Sequence, residues 1–337
     1  MASISVMPRP TRIALALGGG GARGYAHIGV IQVLEEAGHE VVTVAGTSMG
    51  ALVGGLHAAG RLPAYAEWVS GLTQRDVLRL LDPSVRAPGA IRGDKVLAVV
   101  SELLDGVHIQ DLPIPYTAVA TDLLARKEVW FQRGPVDVAI RASIALPSIF
   151  PPVMLNGRLL VDGGLMNPLP LAPMTSTDAD ATVAVSLSGD PSSPSGRAEE
   201  RESSEPRPAE EWLERFRRSA AQVLDRDQRR ALTRRLGGSR KNTAALAAGE
   251  PLPEEPEKVF ETLPAGLGTL DVMELSLDAM QSLVTRYRLA GYPPDLLITI
   301  PKNACRTLDF HKGAEMIALG RAQAEAALAT QDLRRRG

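Results

Sequence analysis

The 337-residue chain is 45% hydrophobic and 23% charged with a formal net charge of −2, the balance of a folded globular protein with no global pull toward nucleic acid. Its one cysteine, Cys305, excludes an intrachain disulfide, and the start from Met1 to Thr11 lacks the basic, apolar and cleavage-site order of a signal peptide; both favour a reducing, cytoplasmic setting. No apolar run approaches the ~18 residues that would span a bilayer, so membrane attraction has to come from a local patch.

The length allows two domains or one α/β domain carrying an insertion. Arg12 to Leu17 is a short apolar run of the kind found in buried parallel strands, and it leads straight into Gly18-Gly19-Gly20-Gly21-Ala22-Arg23-Gly24. A helix follows, with Ala26, Ile28, Val30, Ile31 and Leu34 near helical spacing and Gly38 at the C-terminal cap position. Val41 to Ala45 reads as the second strand. The three elements make a βαβ unit, whose loops at the carboxyl ends of the strands are where open α/β sheets place ligands.

The second strand runs into Gly46-Thr47-Ser48-Met49-Gly50 and then a small-residue helix. A strand that turns into a helix at a serine flanked by glycines is a nucleophile elbow, with Ser48 exposed at a helix N-terminus and Gly46 and Gly50 clearing space for the fold-back. The glycine loop before it has two readings. Gly19-x-Gly21-x-x-Gly24 satisfies a dinucleotide fingerprint, but the expected acid at the end of the second strand is missing and the nearest, Glu40, lies at its beginning. The other reading is a nest of bare amides at Gly19, Gly20 and Gly21 that receives the charge of an attacked carbonyl. Arg23 either braces this loop, adds positive charge to it, or is a solvated first-turn residue.

From Arg61 to Gly106 the chain reads as helical pieces without chemistry. Tyr116 to Ala120 and Glu128 to Phe131 are further strand candidates, and Ala139 to Ala145 is a helical one. Asn156-Gly157 between two apolar runs signals a hairpin, and its second strand delivers Asp162-Gly163-Gly164. Asp162 is either an Asx-turn residue or, beside Ser48, its general base, with Gly163 and Gly164 allowing close approach. Thr182 to Leu187 is another strand.

Residues 189 to 210 contain no Val, Ile, Leu, Met or aromatic residue, the composition of a flexible excursion. Trp212 to Lys241 then carries ten Arg or Lys against three acids, with apolar residues near helical spacing. Such a basic amphipathic helix lies on an anionic membrane or packs its stripe on its own domain. Folded sequence resumes with a helix from Asp271 to Arg288, a strand from Asp295 to Pro301 and a helix from Gly313 to Ala329. The expected organisation is one catalytic domain from 1–188 and 265–329, an insert at 189–264 and a frayed tail at 330–337.

In order and context, Gly19 to Gly24, Gly46 to Gly50, Arg141 to Pro151 and Asp162-Gly163-Gly164 resemble the patatin-like phospholipases, especially their stand-alone bacterial members. The resemblance covers about residues 12 to 188 and more loosely 270 to 325. It implies a three-layer α/β/α fold with a mostly parallel central sheet, and hydrolysis of acyl esters of phospholipids or related lipids. It also implies a catalytic dyad of Ser48 and Asp162 with the oxyanion hole at Gly19 to Gly21. A transacylase or thioesterase using the same dyad, or a non-hydrolytic lipid-binding protein, are the rival readings. Only His311 follows Asp162 in the chain, as a Ser-acid-His triad would require, and nothing in its setting aims it at Ser48. No His, Cys or acid grouping has metal-ligand spacing, so neither a metal nor another cofactor is expected.

Overall fold

The computed structural model describes residues 10–81, 94–146, 149–189, 269–331 and 333. Contacts divide the chain into two compact units, Met1–Ala198 with Met273–Gly337 and Glu199–Val272. The first carries every feature discussed below. Apart from Gly189, the insert at 189–264, with the stretch 212–241 where a basic helix is expected, lies outside the described residues, as does the Arg334 to Arg336 tail.

The βαβ unit forms as expected. Strand β1 (Arg12–Leu17) is followed by a 3-10 turn (Gly21–Tyr25), helix α1 (Ala26–Glu36) and strand β2 (Glu40–Thr47). Helix α1 stops at Gly38, whose φ of 79° sets the left-handed bend; Gly38 N–H donates to Glu35 O at 2.9 Å and His39 N–H to Leu34 O at 3.1 Å. Both faces of β1 are buried, as an interior parallel strand requires. Ile13, Leu15 and Leu17 pack into one core with Ile28, Ile31 and Leu34 of α1. Ala14 and Ala16 face the other way, and their small side chains let Leu169, Leu171 and Met174 lie against the sheet.

The remaining elements are α2 (Met49–Ala58), α3 (Leu62–Ser70), α4 (Gln74–Leu81), α5 (Asp94–Leu104), β3 (Tyr116–Asp122), β4 (Lys127–Phe131), α6 (Val136–Ser143), β5 (Val153–Leu155), β6 (Arg158–Asp162), β7 (Ala181–Gly189), α7 (Thr269–Gly291), β8 (Leu296–Pro301) and α8 (Gly313–Thr330). The described strands form one sheet in the order β5-β6-β3-β2-β1-β7-β8, with β4 also on β3. Pairs β1–β2, β1–β7, β2–β3 and β7–β8 are parallel, and the antiparallel pairs gather at one end. Helices α1, α2 and α8 share the core on one face, while Leu289 of α7 packs on the other. The architecture is the expected three-layer α/β/α fold.

One junction positions the site. Strand β4 occupies one edge of β3 along Ala118 to Asp122. On the opposite edge, β2 pairs as far as Thr47↔Val119, and β6 takes over at Asp162↔Ala120. The β5–β6 hairpin that brings Asp162 there turns at Asn156 and Gly157, with φ of 50° and 75°, the two-residue geometry its sequence predicts.

Candidate active site

The chain reverses from β2 into α2 at Ser48, which has φ 55° and ψ −124°. A non-glycine residue at positive φ is strained and persists only when its surroundings fix it. Here the fixing is visible on both sides. A Cβ on Gly46 would stand 2.2 Å from Gly50 O, and one on Gly50 would stand 2.2 Å from Leu17 O, so both glycines are required by close approach. Ser48 N–H donates to Ser143 Oγ at 2.9 Å, and Ser143 donates in turn to Val119 O at 2.6 Å. Thr47 Oγ1 donates to Asn167 O at 2.8 Å.

Ser48 Oγ donates to Asp162 Oδ2 at 2.6 Å, and Gly164 N–H donates to Asp162 Oδ1 at 2.7 Å. Asp162 therefore divides its two oxygens, one closing an Asx turn and the other meeting the serine. Asp162 is 2% exposed, and burial pushes its carboxyl up to about 6, against the pull of the hydrogen bonds from Ser48 and Gly164. Gly163 has no room for a side chain, since a Cβ would fall 2.1 Å from Val119 O. The contact is direct. His27 instead bonds Gly18 O through Nε2 at 2.8 Å, and burial pushes its ring down to about 4, so it is neutral and Nε2–H is the donor. His57 lies 3.9 Å from Glu35, and His311 sits in a 3-10 turn, Phe310–Lys312.

The glycine loop passes beside this pair, with the position of a Cβ on Gly19 only 3.2 Å from Ser48 Cβ. Its amides are not equivalent. Gly18 N–H donates to Val185 O and Gly19 N–H to Pro168 O, both at 3.0 Å, whereas Gly20 and Gly21 engage no carbonyl among the described residues. Arg23 is buried and its Nη1 donates to Lys302 O at 2.7 Å. It braces the loop against the end of β8 and is not a solvated first-turn residue.

The family model described as patatin-like phospholipase matches residues 15–175. An NTE family protein of Mycobacterium tuberculosis is 49% identical over 336 residues, covering 94% of this chain and 91% of the relative. The chain belongs to the patatin-like phospholipase family. Patatin-like phospholipase domain-containing protein 6 of Mus musculus is 36% identical over 183 residues, 52% of this chain but 13% of that protein. The structure of VipD from Legionella pneumophila shares the fold, with a TM-score of 0.51 at 14% identity over 96% of this chain and 67% of that one.

Around this patatin-like centre, three residues with no sequence-level role hold the elbow and the acid together. Ser143 ties Ser48 to β3, as described. Asn167 joins Thr47 to the turn after Asp162, because its own N–H donates to Gly163 O at 2.8 Å. Glu128 on β4 accepts from Asn167 Nδ2 at 2.7 Å and Trp130 Nε1 at 2.9 Å, and pairs with Arg288 of α7. Burial pushes the Glu128 carboxyl up, but hydrogen bonds from Trp130, Asn167 and Arg288 outweigh it and hold the group below its ordinary value.

An apolar cavity of about 680 Å³ includes Ser48 and Gly21 in its lining, with Leu52, Tyr65, Trp68 and Phe310. Tyr65 packs at a tilt between Tyr25 and Trp68, at ring-centroid distances of 6.3 and 5.7 Å. The lining of the cavity is almost wholly apolar.

Proposed function

We propose that this protein is a serine acyl hydrolase that cleaves fatty-acyl esters of lipids by a Ser48–Asp162 dyad. Family membership implies action on lipid esters; the dyad, the oxyanion hole and the route below are the finer reading. The observation that carries it is the 2.6 Å contact from Ser48 Oγ to a buried carboxylate oxygen, made at the lining of an apolar cavity. Ser48 attacks the ester carbonyl while Asp162 takes its proton. The oxyanion is held by the N–H groups of Gly20 and Gly21, with that of Met49 at the start of α2. Gly19 shapes the loop and spends its own N–H on Pro168. Asp162 then activates the water that releases the fatty acid.

A fluorophosphonate probe tests this directly. Labelling at Ser48 that disappears in both Ser48→Ala and Asp162→Asn supports the dyad; labelling or ester turnover that survives Ser48→Ala would falsify it. Analysis of products from a defined phospholipid with an added alcohol acceptor separates hydrolysis from acyl transfer. No described helix is long and apolar enough to cross a membrane. The reading places the protein in the cytoplasm, touching the inner membrane face through the basic stretch at 212–241. Deleting residues 190 to 263 is then expected to weaken binding to anionic vesicles at low salt far more than turnover of a soluble ester.

A further inference from the structure

His27, at the start of α1, is fully buried and takes no part in the route above. Its Nε2–H reaches back over the 3-10 turn to Gly18 O at 2.8 Å, while Nδ1 meets no partner among the described residues. A buried polar nitrogen without a partner is costly, and an apolar side chain in its place would avoid that cost. What an apolar side chain lacks is a donor for Gly18 O.

That carbonyl is one end of a peptide plane. A trans peptide is planar, so its C=O and N–H point to opposite sides and turn together. Both ends of the Gly18–Gly19 peptide are held, because His27 donates to the oxygen and Gly19 N–H donates to Pro168 O at 3.0 Å. The exit of the loop is held as well, where Ala22 N–H donates to Thr307 O at 2.9 Å. Between these two clamps lie the N–H groups of Gly20 and Gly21, which donate to no carbonyl among the described residues. Successive glycines have little intrinsic preference for one backbone conformation, so the direction of the two amides depends on how the loop is clamped at its ends. The same Gly18 oxygen also faces the elbow, since a Cβ on Gly50 would stand 2.8 Å from it. We infer that His27 is a positioning residue, which fixes the entry of the glycine loop so that the Gly20 and Gly21 amides converge on the oxyanion. The inference rests on the acyl-hydrolase reading above; His27 acts through the backbone and bonds neither Ser48 nor Asp162.

Steady-state kinetics on a soluble p-nitrophenyl ester, beside a thermal melt of each variant, test it. His27→Leu is expected to lower kcat at least about tenfold, part of the roughly 10²–10³ that a whole oxyanion donor supplies, with KM little changed. The midpoint of the pH–rate profile, which belongs to Asp162, stays at its wild-type value. His27→Gln keeps an N–H donor at a similar reach and is expected to hold kcat within about threefold of wild type, whereas the shorter His27→Asn loses it. His57→Leu is the control: it exchanges a buried histidine of α2 that has no hydrogen bond to the loop, and it leaves kcat unchanged. If the leucine variant does not fold, the comparison of glutamine with asparagine decides. Wild-type kcat in His27→Leu or His27→Asn, a rise in KM in place of the fall in kcat, a moved midpoint, a glutamine variant no better than the asparagine one, or an equal loss in His57→Leu overturns the assignment. Wild-type protein that neither hydrolyses the ester nor takes a fluorophosphonate at Ser48 overturns the hydrolase reading instead, so the two failures are distinct.

Discussion

Thr47 and Asp162 occupy consecutive positions along one edge of β3, opposite Val119 and Ala120. The residue after Thr47, Ser48, meets the Asp162 carboxylate at 2.6 Å. Sheet register alone brings together two side chains that are 114 positions apart in sequence.

The elbow conformation predicts a conflict between stability and activity at position 48. With φ at 55°, Ser48→Gly is expected to relieve strain and to be about 1 kcal/mol more stable than Ser48→Ala, which keeps a Cβ. Both variants lose turnover. Urea unfolding of the pair checks the order.

Protonation of Asp162 gives a second prediction. Its folded-state carboxyl titrates at about 6, above its ordinary 3.8. Turnover that needs the carboxylate rises with pH through about 6 and then levels. Stability moves the other way: the benefit of the buried neutral acid is full below pH 4 and is lost as pH climbs to 6. Asp162→Asn, which carries no charge to bury, is expected to match wild type at pH 4 and to exceed it at pH 7 by up to about 3 kcal/mol. Thermal melts across that range, beside a pH–rate profile, test both halves.

Gly21 is held at φ 57°, and a Cβ there would lie 2.5 Å from Thr307 O. Gly21→Ala shifts the loop amides, and the expected loss in kcat is about 10²–10³ with KM little changed. Gly60→Ala is the control, since Gly60 also has positive φ, at 67°, but no neighbour within 4 Å of the new methyl. It costs stability without touching kcat.

The chain from Arg288 through Glu128 and Asn167 to Thr47 makes these positioning residues for the dyad. Glu128→Gln and Arg288→Met are each expected to lower kcat about tenfold without raising KM. In the double variant their effects fall short of additive, with a coupling of about 1 kcal/mol. Steady-state kinetics on a soluble ester gives the cycle, and full additivity removes the network from the mechanism.

What could be read from the residues was local. The period of α1, its stop at Gly38, the Asn156-Gly157 turn and the glycine-flanked Ser48 each carry their signal within a few neighbours. Asp162 was legible as a carboxylate at a strand end and as the candidate partner of Ser48, but the register that joins them was not, because strand order depends on pairings that no short window contains. Ser143 and Glu128 stayed hidden for the same reason: their partners lie 95 and 39 positions away. The glycine run also concealed a difference between like residues, since only the fold shows Gly19 giving its N–H to Pro168. Arg23 likewise had three readings until Lys302, just past the end of β8, was seen to supply its acceptor.

The handover of the β3 edge from β2 to β6 has a protective side. On the proposed mechanism, a copy whose central strands have parted keeps Ser48 and Asp162 out of each other's reach, so damaged or half-made molecules are expected to be silent toward lipid esters. Heat inactivation and loss of the sheet then trace a single curve.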